Sequence, residues 1–123
     1  MEVYDPQADS WQRTASTLQC LYFHAAAAMG GKIYVTGGSQ AGSASSACVY
    51  DPQADVWASL ASMSIGRQLH AAAAVGGKLY VFGGRGASAS LSTVEVYDPA
   101  SDSWAQGTSL TSTSRCFVVA VAL

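Results

Sequence analysis

One fifteen-residue stretch occurs twice in this chain, and that repetition constrains the fold more than any other feature. The first copy runs from His24 to Gly38 and the second from His70 to Gly84, 46 residues later, with substitutions only at Met29/Val75, Ile33/Leu79 and Thr36/Phe82. Val3-Tyr4-Asp5-Pro6 likewise recurs at Val49–Pro52 and Val96–Pro99, and Trp11, Trp57 and Trp104 each follow at the same distance. Self-similarity at such a period marks supersecondary units that bury their apolar faces only by stacking on one another.

Within one unit the four-Ala runs are the hard segment to place. Intrinsic propensity favours helix. Length favours strand: the run Leu21–Met29 stops at Gly30-Gly31, and a second apolar run, Ile33–Thr36, follows after one Lys. The pattern therefore predicts a hairpin closed by Gly30-Gly31. Gly37-Gly38 ends the second strand, where a Gly pair implies positive φ or close backbone approach. A Ser/Ala/Gly loop over Ser39–Ser46 leads to a third strand, Ala47–Tyr50, then a turn, Asp51–Asp55, and a fourth strand, Val56–Leu60. After a loop over 61–66 the cycle restarts at Arg67 and runs to about Gly107. Phe117–Leu123 reads as one more first strand. The count is eleven short strands and no helix: an all-β chain of four-stranded antiparallel blades, as in a β-propeller. Small Ala side chains suit the crowded innermost strand, and Trp suits the wide outer gap between blades.

These motifs resemble the kelch repeat: Arg67, then Gly76-Gly77-Lys78-Leu79-Tyr80-Val81-Phe82-Gly83-Gly84, then Tyr97-Asp98-Pro99 and Trp104. The Gly-His and Trp-Asp pairs of WD-repeat propellers are missing. The resemblance covers essentially the whole of 1–123 as one kelch-repeat region. It implies a partial blade at 2–18, full blades at 21–61 and 67–107, and the first strand of a further blade at 115–123. That is roughly two and a half to three blades, an open arc. Kelch propellers close with more blades, so a piece of a larger kelch protein is the favoured reading, with assembly of copies the alternative; the open arc makes self-association a second partner expectation.

Composition narrows the function classes. No apolar stretch approaches the roughly 18 residues a membrane span needs, and no signal peptide is visible. The chain has no Asn, hence no N-glycosylation site. Cys20, Cys48 and Cys116 match no zinc or redox spacing and read as free thiols, which points to the cytoplasm, or else the nucleus. Six Lys and Arg without a basic run argue against nucleic acid. His24 and His70, at equivalent repeat positions, read as structural, and two His leave no multi-His metal site. Gly30-Gly31-Lys32 and Gly76-Gly77-Lys78 lack phosphate-loop spacing. No cofactor, no metal and no catalytic set is expected, hence no enzyme. The alternatives are a fragment of a kelch-type enzyme, a copper oxidase or sugar isomerase, and a purely structural arc.

Charge singles out one face. In an antiparallel blade the loops after strands one and three share one end of the blade, and those after strands two and four share the other. All six Asp lie in turns after third strands, with Lys32 and Lys78 after first strands, leaving that end at −4. The opposite end carries Arg67, Arg85 and Arg115 and no acid; Arg13, Glu2 and Glu95 fall on strands. Arg pairs bidentately with carboxylate and phosphate, so this face is expected to bind an acidic or phosphorylated peptide of a protein partner. The resemblance implies the same, since kelch adaptors often hold peptides through the residue after the Gly-Gly doublet, here Ser39 and Arg85, and the Arg before the first strand, here Arg67 and Arg115. Substrate capture for ubiquitin ligases is the best-known kelch context, although no BTB domain is in this chain.

Overall fold

The computed structural model describes residues 1–17, 22–39 and 42–111. Its ten strands are β1 (Glu2–Asp5), β2 (Ser10–Arg13), β3 (Ala25–Met29), β4 (Lys32–Thr36), β5 (Ala47–Asp51), β6 (Val56–Leu60), β7 (Ala71–Val75), β8 (Lys78–Phe82), β9 (Val94–Asp98) and β10 (Ser103–Gln106). No helix occurs among the described residues. The strands form three open antiparallel sheets: β1-β2, β3-β4-β5-β6 and β7-β8-β9-β10. The last two are four-stranded blades of the propeller kind. The eleventh strand expected from the sequence, over 117–123, lies outside the described residues.

The Ala runs are strands, as their length and flanking Gly pairs require. They begin later than the sequence suggests, at Ala25 instead of Leu21, because Phe23 takes a left-handed backbone (φ 57°) that interrupts an extended run. Leu69 does the same before β7 (φ 55°). Gly30-Gly31 and Gly76-Gly77 have positive φ throughout, the geometry of a two-residue hairpin turn whose twist matches its strands.

The innermost strands of the two full blades, β3 and β7, lie against each other, and Ala side chains permit that approach. Farther out, the gap between these blades is filled by Tyr34, Leu79 and Tyr97, with Ala27, Met29, Val49, Leu60, Ala72 and Trp104 packed around them. Tyr34 and Tyr97 meet tilted at 6.1 Å.

The recurring Tyr, Asp and Trp act together. Asp51 Oδ1 accepts from the amides of Gln53 and Ala54, which closes the turn after β5. Asp55, itself left-handed at φ 53°, accepts from the Tyr50 hydroxyl at 2.7 Å and from the Ala15 amide at 2.8 Å. Trp57 Nε1 donates to the Ala15 carbonyl at 3.1 Å. Both backbone polar groups of one residue leaving the first sheet are therefore held by the second. The next gap repeats this: Tyr97 and the Ala61 amide donate to Asp102, and Trp104 Nε1 donates to the Ala61 carbonyl at 2.7 Å.

The Gly-Gly doublets satisfy both expectations at once. Gly37, Gly38, Gly83 and Gly84 all have positive φ. A methyl on Gly84 would stand 2.6 Å from the His70 Cβ and from the Gln68 carbonyl, whereas one on Gly31 would meet nothing. Gly31→Ala is expected to cost about 1–2 kcal/mol from backbone conformation alone. Gly84→Ala adds a backbone clash and should cost about 3 kcal/mol or more. Urea unfolding of the two variants checks this, and equal losses would refute the close-approach argument.

Candidate functional site

Loops at one end of the two full blades are stitched into a platform. Tyr22 and Ser39 exchange both backbone hydrogen bonds (3.1 and 2.7 Å), and so do Gln68 and Arg85 (3.0 and 2.8 Å). The Leu69 amide donates to the Phe23 carbonyl at 3.0 Å. Ser39 bridges Ser43, whose hydroxyl donates to the Arg85 carbonyl at 3.1 Å. These contacts run from Tyr22 through Ser39, Ser43, Arg85 and Gln68–Leu69 back to Phe23, a closed circuit spanning both blades. Further amides tie the 39–46 loop down: Arg67 donates to the Ala44 carbonyl and Met63 to that of Ser45.

The sequence-predicted site residues fall differently on this platform. Ser39 is half-buried and Arg85 is exposed. Arg85 makes no ion pair among the described residues. Arg115 lies outside the described residues. Arg67 is the correction: it is 0% exposed. Its guanidinium donates to the Gly83 carbonyl (2.8 Å), to the Thr93 carbonyl and hydroxyl (3.1 and 3.2 Å), and to Glu95 Oε2 (2.8 Å). It holds the blade together and is not available to a peptide. Glu95, buried on β9, uses Oε1 to accept from the Ser64 amide and hydroxyl (2.7 and 2.8 Å). Burial pushes the Glu95 carboxyl up, but the Ser64 amide and the Arg67 guanidinium outweigh it and hold it below its usual range.

Counting charges along the sequence missed this pairing because Glu95 sits on a strand 28 residues from Arg67. A signal was present all the same. In the preceding repeat Leu21 occupies the Arg position and Cys48 the Glu position, so the two charged partners are lost together.

His70 is structural, as expected. It is buried between the two Gly-Gly doublets, with Nε2 2.9 Å from the Thr36 hydroxyl of the neighbouring blade. Its Nδ1 has no hydrogen-bond partner among the described residues. Burial first, then the Arg67 charge, lowers its pKa to about 4. His24, its sequence equivalent, is exposed, since no innermost strand of the first sheet covers it among the described residues.

At the opposite end both Lys are paired with an Asp. Lys32 pairs with Asp51 at 3.3 Å and Lys78 with Asp98 at 3.7 Å. Asp55 and Asp102 are occupied by the clamps described above.

A cavity of about 390 Å³ opens between the first and second sheets, lined by Thr17, His24, Val35, Cys48 and Trp57 among others, and includes none of Ser39, Arg67 or Arg85. The first sheet has only β1 and β2 among the described residues to cover this face, and Thr17 and Cys48 stand where the next gap has Met63 and Glu95. Burial pushes the Cys48 thiol up, away from the thiolate a nucleophile needs. Among the described residues no three of His, Cys, Asp and Glu come together as a metal site.

Two residues on the platform escaped the sequence reading: Tyr22 and Phe23, exposed to 69% and 60%. They were assigned to the first strand, where alternate side chains would be covered.

Comparison with protein families matches the model described as Kelch motif to residues 20–64 and again to 66–111. A search of curated proteins finds no match to the chain.

Two outcomes follow from this geometry. Removing one member of the buried pair, by Arg67→Ala or Glu95→Ala, should cost about 3–5 kcal/mol. The joint replacement Arg67→Leu with Glu95→Cys, which copies the preceding repeat, should cost clearly less than the two single losses added together; additive losses in denaturant melts would contradict the pairing. His70 binds fewer protons folded than unfolded, so its stabilisation is complete above about pH 6.5 and is lost as pH falls towards 4, by up to about 3 kcal/mol. His70→Gln should flatten the stability profile across that window, ahead of any loss from carboxylate protonation at lower pH.

Proposed function

The chain belongs to the kelch-repeat family, and on that premise we propose that it is a protein-interaction module whose Arg85 face binds an acidic or phosphorylated peptide. Kelch repeats generally mediate protein–protein binding. The observation that carries the finer reading is the contrast between the two ends of the blades. At one end each Lys is neutralised by an Asp of its own blade. At the other, Arg85 stands exposed on a hydrogen-bonded platform beside Ser39 and Ser43, with no acid on that face among the described residues except the buried Glu95. An exposed guanidinium with its donors uncommitted is suited to a carboxylate or phosphate. The neighbouring hydroxyls add neutral hydrogen bonds. Arg115 extends the same positive character in sequence. Presenting such a peptide to a ubiquitin ligase is one use of a module of this kind.

Self-association is a second proposal. It is favoured by the exposed Val3, Tyr4 and Trp11 on the two-stranded first sheet, whose β1 edge has no partner strand among the described residues. Light scattering on a sizing column tests it; a monomer across a hundredfold range of concentration would remove it.

Arg85→Glu should weaken binding of a fluorescein-labelled Glu-Gly repeat peptide by about tenfold or more, the worth of one charge-assisted contact turned repulsive. The effect should shrink as salt rises. Unchanged anisotropy titrations, with the thermal midpoint also unchanged, would remove the acidic-peptide reading.

A further inference from the structure

The hairpin tip that carries Arg85 also carries Ser88, and the peptide reading leaves that serine without a role. Arg85 and Ser90 face each other in an isolated bridge, and the Gly86 amide donates to the Ala89 carbonyl at 2.8 Å. Ala87, Ser88 and Ala89 are exposed. One backbone bond closes this tip of small residues, so it can open without disturbing β8 and β9. Arg85 stays in place meanwhile. Its backbone is bound to Gln68 and Ser43, and its guanidinium makes no ion pair among the described residues. An Arg three residues before a Ser is a charge pattern read by serine kinases that have an acidic groove beside their cleft. Arg13 and Ser16 share that spacing, but there the fold opposes its use. Ala15, between them, is clamped at its amide by Asp55 and at its carbonyl by Trp57, so the segment cannot be drawn out without parting the first two sheets.

We propose that Ser88 is a phosphorylation site for an Arg-directed serine kinase, and that a phosphate there closes the Arg85 face to acidic peptides. The closing rests on the acidic-peptide reading of that face; the modification does not. With the tip open, Arg85 enters the acidic groove of the kinase, and Ser88 reaches the cleft about 10 Å further along the extended chain. The Ser88 hydroxyl proton passes to the catalytic carboxylate of the kinase. Its Oγ bonds the γ-phosphorus of ATP, and the bond from that phosphorus to the oxygen of the leaving ADP breaks. The consequence is electrostatic. Residues 83–93 hold Arg85 as their only charge, and residues 39–46 hold none. Phosphoserine brings about −1.5 to −2 at pH 7, so the hairpin changes from +1 to about −1. The phosphate also lies in the same tight turn as the Arg85 guanidinium and competes for it from within the chain. An acidic peptide then meets a repelling charge and an occupied fork.

The test incubates the full chain with ATP and the catalytic subunit of cyclic-AMP-dependent protein kinase, and maps phosphate by tandem mass spectrometry. A free peptide of residues 83–91 serves as the control substrate. Phosphate should appear on Ser88 and not on Ser16, and Ser88→Ala should block it. Arg85→Gln should slow its incorporation by about tenfold, the worth of one charge-assisted contact. The phosphorylated chain should bind the labelled Glu-Gly repeat peptide about tenfold or more less tightly than the unmodified chain, with the difference shrinking as salt rises. A chain that takes no phosphate while the free peptide does overturns the site, since the folded loop then withholds Ser88. Phosphate on Ser16 as fast as on Ser88 overturns the structural selection. If the phosphorylated chain binds the Glu-Gly peptide unchanged while Arg85→Glu weakens it, the closing is overturned and the acidic reading stands. If neither the phosphate nor Arg85→Glu alters binding, the acidic reading fails and the closing with it, while the modification at Ser88 stands on the mass map.

Discussion

Each full blade holds the residue by which the chain leaves the sheet before it, and the rest of the architecture depends on that grip. Ala15 and Ala61 are each bound at the amide by an Asp and at the carbonyl by a Trp of the following sheet. A four-stranded sheet of this size has two faces to cover and no helix to cover them. The clamp fixes the angle and spacing at which the next sheet arrives, so that Tyr34, Leu79 and Tyr97 can close the gap between the full blades. The Tyr hydroxyl completes the device by fixing the Asp carboxylate. The same contacts lower the pKa of Asp55 and Asp102: the amide of the previous sheet comes first and the Tyr hydroxyl second.

At the inner end the grip is steric. Gly37 and Gly84 leave room for His70 to lie between two blades, and Thr36 satisfies one of its ring nitrogens. Size decides there: a methyl on either Gly would displace backbone, which cannot give way as a flexible side chain could. Desolvation of His70 is offset only in part, which is why protonation, and not neutrality, is disfavoured at this joint.

Much of this was legible in the sequence. The period gave the blade, the Gly pairs gave the hairpins and the close approach, and the Ala runs were strands because length outweighed propensity. The Trp was expected to fill the outer gap, and it does so with a hydrogen bond that no pattern specifies. Arg67 was misread for a definite reason. A loop Arg and a strand Glu far apart in sequence look like a surface charge and a neutral register position until the fold brings them to 2.8 Å. Comparing the repeats, with Leu21 and Cys48 at those positions, would have exposed the pairing. Tyr22 and Phe23 were hidden by the assumption that an apolar run is strand from its first residue, whereas a left-handed residue delays the strand to Ala25 and no inner strand of the first sheet covers them among the described residues.

The two gaps between sheets then show where function can enter a repeat fold. The left-handed residue before the innermost strand recurs in both full blades, but the first sheet has only two strands among the described residues where the second has four. The side chains do not match. The gap between the full blades holds Met63, Arg67 and Glu95, whereas the other holds Thr17 and Cys48 beside a cavity. Likewise Gln68-Leu69 is half-buried where Tyr22-Phe23 is exposed. Positions that agree between repeats answer to stacking, which every blade shares. Positions that differ either carry a contact of one blade alone, as the buried Arg67–Glu95 pair does, or stand in solvent, as Arg85 does.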